Sequence, residues 1–178
     1  MDALRHSLLA PSCGTFVMVL GCVDSMMAMI KVRYSAKDDD GKPLLPHPYK
    51  PWEVPGGGGD EKDGGQHAAI ADKAYRAFKM FENVKEWTAM SLPFMWTFAV
   101  YGKGMAGCPY VSDDLVDGAV VLSSLVYAYA NRKYTRAYIE STEKRTKSFY
   151  LRTNVVKFWL AGSAISLFHG ILKRLGVV

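Results

Sequence analysis

The sequence predicts an all-α protein, an integral membrane bundle of four helices. Two observations predict this fold class. Of the 178 residues, 49% are hydrophobic, and the apolar residues are concentrated in four segments separated by three polar connections. Those segments are apolar on all sides, which is typical of helices that face lipid. The length suits one domain, so we expect residues 1–178 to form a single unit.

We expect the helices at about residues 8–34, 68–102, 114–140 and 149–175. The first follows the apolar run from Leu8 to Ile30, and the second begins as an amphipathic stretch that becomes apolar at Trp87. The third and fourth follow the apolar runs at 115–130 and 149–172. A helix needs about 20 mostly apolar residues to cross the hydrocarbon core, so we expect the polar helix ends to lie among lipid headgroups.

The first connection, residues 38–65, is rich in proline and glycine. It holds five of the eight prolines and seven of the sixteen glycines. Proline restricts the backbone dihedral angles and glycine widens their range, so this composition predicts an irregular loop. We interpret the loop as a solvated linker, with docking of a partner as the alternative.

Lysine and arginine are distributed asymmetrically along the chain. Residues 31–86 carry ten of the 22 and residues 131–152 carry seven. By the positive-inside rule, the connections after the odd-numbered helices face the cytoplasm or the matrix. A soluble four-helix bundle is the alternative, but this asymmetry and the uniformly apolar segments favour a membrane protein.

Several function classes do not fit the composition. The three cysteines form no CxxC pair and the four histidines lack metal-ligand spacing, so we predict no metal site. The net charge of +5 is not spread over a surface with interleaved aromatic residues, so we expect no nucleic-acid partner.

Asp24 is the only charged residue in the first apolar run. A carboxylate there is costly in lipid, so we expect it to face the bundle interior. We expect it to bond to a neighbouring hydroxyl or basic side chain, with Lys157 and His169 as candidate partners. The alternative is a hydrogen-bond acceptor near an active site or a subunit interface.

Polar residues recur on one face of the second and third helices. The members of each face, spaced by three or four residues, are Lys79, Asn83 and Glu86 in the second helix, and Tyr134, Tyr138, Ser141 and Arg145 at the end of the third. Together these groups could bind a small zwitterionic ligand. The alternative is that they are solvated helix ends.

The stretch from Leu125 to Arg145 (LVYAYANRKYTRAYIESTEKR) resembles the third-helix signature of the MAPEG superfamily. These are membrane-associated proteins of eicosanoid and glutathione metabolism. The second helix contains a similar Asn-x-x-Glu-aromatic motif from Asn83 to Trp87, and Trp96 stands where family members often carry tryptophan. The resemblance covers residues 79–145 and does not extend into the 38–65 loop.

The resemblance implies a homotrimer that binds glutathione as co-substrate between subunits, near the cytosolic side of the membrane. It implies that Arg145 is catalytic, because a cation next to a thiol favours the nucleophilic thiolate. The implied glutathione-binding residues are Lys79, Asn83, Glu86, Tyr134, Tyr138 and Ser141. The implied function is that of a transferase or peroxidase acting on a lipophilic electrophile from the lipid bilayer.

Three positions depart from the family pattern. Lys79 and Asn131 stand where arginines are expected, and Trp87 stands where many members have tyrosine or phenylalanine. The departures fit a divergent enzyme, which we favour. They also fit a non-catalytic accessory subunit of a larger organellar membrane complex, such as a mitochondrial one. The expected location is the endoplasmic reticulum, another endomembrane or a mitochondrial membrane.

Overall fold

A computed structural model describes residues 2–35, 64–103, 111–141 and 143–177, together with Lys37 and Gly41. These residues form four helices, so the predicted all-α fold is confirmed. The helices are α1 (Asp2–Ser35), α2 (Gly64–Gly102), α3 (Asp113–Glu140) and α4 (Thr146–Arg174). Apart from Gly41 and the first two residues of α2, the proline- and glycine-rich segment 38–65 lies outside the described residues.

Three helices begin earlier than their apolar segments do. α1 begins at Asp2, α2 at Gly64 and α4 at Thr146, whereas the expected starts were residues 8, 68 and 149. The backbone hydrogen bonds of a helix do not depend on apolar side chains, so a helix continues through polar residues beyond its buried part. α3 begins at Asp113, where the Ser112 side chain accepts a hydrogen bond from the Leu115 backbone N–H.

The helices pack with α2 and α3 at the centre and with α1 and α4 on opposite sides of that pair. α1 and α4 each contact both central helices. Consecutive helices run in opposite directions, as the contacts with α3 show. α1 runs parallel to α3, because Gly14 lies at Ser124 and Ser25 bonds to Thr135. α2 and α4 run antiparallel to α3, because Asn83 and Ser91 bond to Tyr134 and Tyr127, and Arg152 and Trp159 bond to Asn131 and Ser123, respectively. The fold is therefore an up-down-up-down bundle.

Polar side chains connect the helices through hydrogen bonds inside the bundle. Trp159 Nε1 donates to Ser123 Oγ at 2.8 Å, and Ser25 and Thr135 share a hydrogen bond of 2.8 Å. Gly162 lets α4 approach α2 closely, because a Cβ atom there would lie 2.5 Å from the Phe98 ring. Small residues and Ser/Thr hydrogen bonds are the contacts through which membrane helices associate.

The outer surfaces of α1 and α4 are apolar. By length and composition, two helical segments of the described residues could cross a membrane, Leu8–Ser35 and Thr146–Arg174. Their exposed side chains include Phe16, Leu20, Met27, Leu160, Ile165 and Phe168. The remaining two helices are more polar, since α2 begins with an amphipathic stretch and α3 carries Asp117. The core helices of soluble proteins and signal sequences meet the same test of length and composition.

The prediction that Asp24 faces the bundle interior is wrong. Its side chain is about half exposed, and its carboxylate lies 3.8 Å from Arg132 Nε in α3. The buried stripe of α1 runs through Met18, Gly21 and Ser25 at helical spacing. One residue corresponds to a rotation of about 100° around the helix, so Asp24 points away from that stripe. Its partner is thus Arg132, and neither Lys157 nor His169 pairs with it.

Candidate functional site

A cavity of about 330 Å³ lies at the end of the bundle where α3 ends and α4 begins. Its volume is in the range of small-molecule sites. The residues that line it come from α2, α3 and the start of α4, and include Asn83, Trp87, Tyr134, Arg145, Phe149 and Arg152. Two arginines, an amide and a phenol therefore share one cavity with aromatic walls.

Helical spacing brings these side chains to the same cavity. Asn83 and Trp87 are four residues apart in α2 and so lie on one face. Arg145, Phe149 and Arg152 are spaced by four and three residues at the start of α4, which also places them on one face. Tyr134 projects from α3 between these two faces.

The side chain of Arg152 is completely buried in the wall of the cavity. Its guanidinium carbon lies 4.4 Å from the centre of the Tyr134 ring, 5.0 Å from that of Trp87 and 5.6 Å from that of Phe149. Nη1 donates a hydrogen bond of 3.3 Å to Asn131 Oδ1. Three aromatic rings and one amide thus surround the charge.

These contacts leave part of the hydrogen-bonding capacity of the buried Arg152 unmet. Nε and Nη2 have no hydrogen-bond partner among the described residues. No described carboxylate forms an ion pair with this arginine. Since a guanidinium keeps its charge in proteins, the cavity carries a buried positive charge without a counterion from the described residues.

Arg145 adds a second positive charge to the cavity. It is half-buried at the N-terminal boundary of α4, with its guanidinium carbon 4.8 Å from the centre of the Tyr138 ring. Its side chain does not cap α4. Because the N-terminus of a helix carries a partial positive charge, it adds to the attraction for anions.

Tyr134 supplies a protonated hydroxyl to the cavity. It lies beyond the apolar segment of α3, and its Oη is 3.5 Å from Asn83 Nδ2, which donates to it. Burial raises the pKa of the Tyr134 hydroxyl above its ordinary value of about 10, and the charge of Arg152 opposes this effect. The hydroxyl therefore stays protonated at neutral pH and can donate a hydrogen bond to a ligand.

The structure places the predicted site residues in different surroundings. Asn83, Tyr134 and Arg145 line the cavity, and Tyr138 packs behind Arg145. Three others do not line it. Lys79 and Glu86 are exposed, and Ser141 forms the C-terminal cap of α3, where its Oγ accepts a hydrogen bond from the Glu143 backbone N–H.

Arg152 is the main cavity residue that sequence reasoning missed. Its position near the start of the fourth apolar segment predicts a side chain that reaches the lipid headgroups. The available signal was its spacing of seven residues from Arg145, which puts both arginines on one helix face. Neither Trp87 nor Asn131 is predicted from the sequence to bind a ligand, yet both contact Arg152.

The described residues contain no group of three or more His, Cys, Asp or Glu side chains that could hold a metal ion. The chain matches no known protein-family model and no curated protein sequence. The resemblance to the MAPEG superfamily therefore stays a prediction from the residues quoted above.

Proposed function

We propose that this protein is a membrane-embedded, MAPEG-like helical bundle that binds glutathione and transfers it to, or uses it to reduce, a lipophilic electrophile. The observation that carries the proposal is the cavity between α2, α3 and α4, which combines Arg145 with Asn83 and Tyr134. These three residues were selected from the sequence, and they come from three separate parts of the chain.

The chemistry of the cavity suits a thiol ligand that also carries carboxylates. A thiol is nucleophilic as its thiolate, and a nearby guanidinium lowers the thiol pKa by stabilising the anion. Arg145 takes this role. The protonated Tyr134 hydroxyl and the Asn83 amide supply neutral hydrogen bonds to the peptide groups of glutathione.

The apolar outer surfaces of α1 and α4 support a location within the bilayer. A protein embedded there meets lipophilic electrophiles that are concentrated in lipid. We propose the endoplasmic reticulum, another endomembrane or a mitochondrial membrane as its location, and a homotrimer or a larger membrane complex as its assembly.

A second candidate function is that of a non-catalytic subunit of a membrane complex. It is favoured by the aromatic surroundings of Arg152. The guanidinium contacts Trp87 in α2, Tyr134 in α3 and Phe149 in α4, so it also stabilises the packing of these three helices. On this reading the cavity is a by-product of helix packing and has no glutathione affinity.

Binding of radiolabelled glutathione to membranes that contain the protein tests the proposal. The membranes are first washed with alkaline carbonate, which strips peripheral proteins. We expect the protein to remain in the washed membranes and to bind glutathione saturably, above membranes that lack it. Loss of the protein in the wash would contradict the membrane assignment. Retention without saturable binding would favour the non-catalytic subunit.

A further inference from the structure

Arg152 has hydrogen-bonding capacity that the described residues leave unused. A guanidinium has five N–H donors, and here one nitrogen, Nη1, bonds to Asn131. Nε and Nη2 are buried without a partner among the described residues, although the side chain lines the cavity. Buried donors of this kind are normally satisfied, so an acceptor from beyond the described residues is expected at Arg152.

The expected acceptor has a defined chemistry. The ring faces of Trp87, Tyr134 and Phe149 attract the cation, and the acceptors beside it, the Asn131 oxygen and the Tyr134 hydroxyl, are neutral. What the described residues do not supply to Arg152 is a negative charge with two acceptor atoms. A planar carboxylate matches a guanidinium in this way through paired N–H···O contacts.

The two arginines lie at opposite ends of one aromatic pair. Arg152 lies on the Tyr134 ring, the Tyr134 and Tyr138 ring centres are 5.5 Å apart, and Arg145 lies on the Tyr138 ring. Both arginines also line the cavity. A ligand with two anionic groups can therefore be bound by both guanidinium groups at once.

We infer that Arg152 binds a carboxylate of the small molecule that occupies the cavity, while Arg145 binds a second anionic group of the same molecule. Only the identification of that molecule as glutathione rests on the proposed function. If the molecule is glutathione, the second anionic group is its thiolate.

The test compares ligand affinities, measured by calorimetry on the protein reconstituted in lipid nanodiscs. The probes are glutathione, its diethyl ester, in which both carboxylates are masked, and succinate, a dicarboxylate without a thiol. Three variants are compared: Arg152→Met, Arg152→Lys and Lys157→Met. Arg152→Lys keeps the positive charge and replaces Arg152→Met in the test if that variant does not fold. Lys157 is exposed on the same helix and serves as the matched control.

We expect the wild-type protein and Lys157→Met to bind glutathione at least tenfold more tightly than the diester. In Arg152→Met this preference should fall at least fivefold, and Arg152→Lys should retain part of it. A purely structural arginine would weaken glutathione and diester binding equally and leave their ratio unchanged. An unchanged ratio in folded Arg152→Met or Arg152→Lys would therefore overturn the inference.

Succinate separates this inference from the proposed function. If succinate binds and depends on Arg152 while glutathione does not bind, the carboxylate site stands and the glutathione proposal fails. If glutathione binds with the same preference in the Arg152 variants, the carboxylate site fails and the glutathione proposal stands. If neither probe binds, both are wrong.

Discussion

Replacement of Arg145 by alanine is expected to reduce kcat/KM for conjugation of glutathione with a lipophilic aryl halide by about 10²–10³-fold, the usual effect of removing one group that stabilises a reacting anion. Arg145 lines the cavity and is only half-buried, so its loss leaves the helix packing largely intact. The thiolate then loses its nearest cation in the proposed arrangement. The measurement is the initial rate in reconstituted membranes.

The pH dependence of the conjugation rate distinguishes stabilisation of the thiolate by Arg145 from a mere contribution to glutathione binding. A free thiol has a pKa of about 8.5, and Arg145 is proposed to lower the pKa of bound glutathione. The wild-type rate should therefore level off at a lower pH than that of Arg145→Ala, whose rate should still rise through about pH 8.5. Lys147→Ala removes an exposed cation two residues away and should match wild type. An unchanged rate in Arg145→Ala would contradict the assignment.

Replacement of Trp159 by alanine is expected to lower the free energy of unfolding by about 3–5 kcal/mol. Its indole is completely buried between the helices, packs against Tyr127 with ring centres 5.5 Å apart, and donates a hydrogen bond to Ser123. Alanine leaves a cavity in the largest core cluster. Unfolding of the detergent-purified protein by a denaturing detergent measures the change.

Two variants control for the loss of Trp159. Trp159→Phe keeps an aromatic ring but loses the hydrogen bond to Ser123, so we expect a cost of about 1 kcal/mol from that bond. Phe168→Ala truncates an aromatic residue of the same helix that is 62% exposed, and should change stability by about 0.5 kcal/mol or less. Equal effects of Trp159→Ala and Phe168→Ala would contradict the described core.

The helices could be predicted from the sequence because their apolar segments are long and are separated by polar connections. Their starts were less predictable. The first turn of α4, Thr146 to Ser148, is polar and gives no apolar signal, yet it is helical. The direction of Asp24 was missed for a different reason: α1 is apolar on most sides, so hydropathy does not reveal that its interior stripe runs through Met18, Gly21 and Ser25.

The candidate site could be predicted only in part. Spacing along α2 correctly places Lys79, Asn83 and Glu86 on one broad face, but the buried stripe of α2 includes Met80 and Val84. Asn83 borders that stripe and reaches the cavity, whereas the other two face outward. Spacing within one helix cannot show which part of a face a second helix will cover.

The burial of Arg152 could not be predicted from the sequence either. Its burial depends on aromatic residues from α2 and α3 that are distant in sequence. An arginine near either end of an apolar segment is normally interpreted as a residue whose side chain extends to the membrane surface. Only the tertiary packing turns it into a buried cation beside a cavity.

The cavity is proposed to activate the thiol of glutathione, and the ultraviolet absorbance of the thiolate reports this activation. Glutathione is titrated into the detergent-purified protein at neutral pH, with S-methylglutathione, which has no thiol proton, as the blank. We predict a saturable thiolate signal with glutathione and none with the blank. Binding of S-methylglutathione without any thiolate signal from glutathione would contradict the claim.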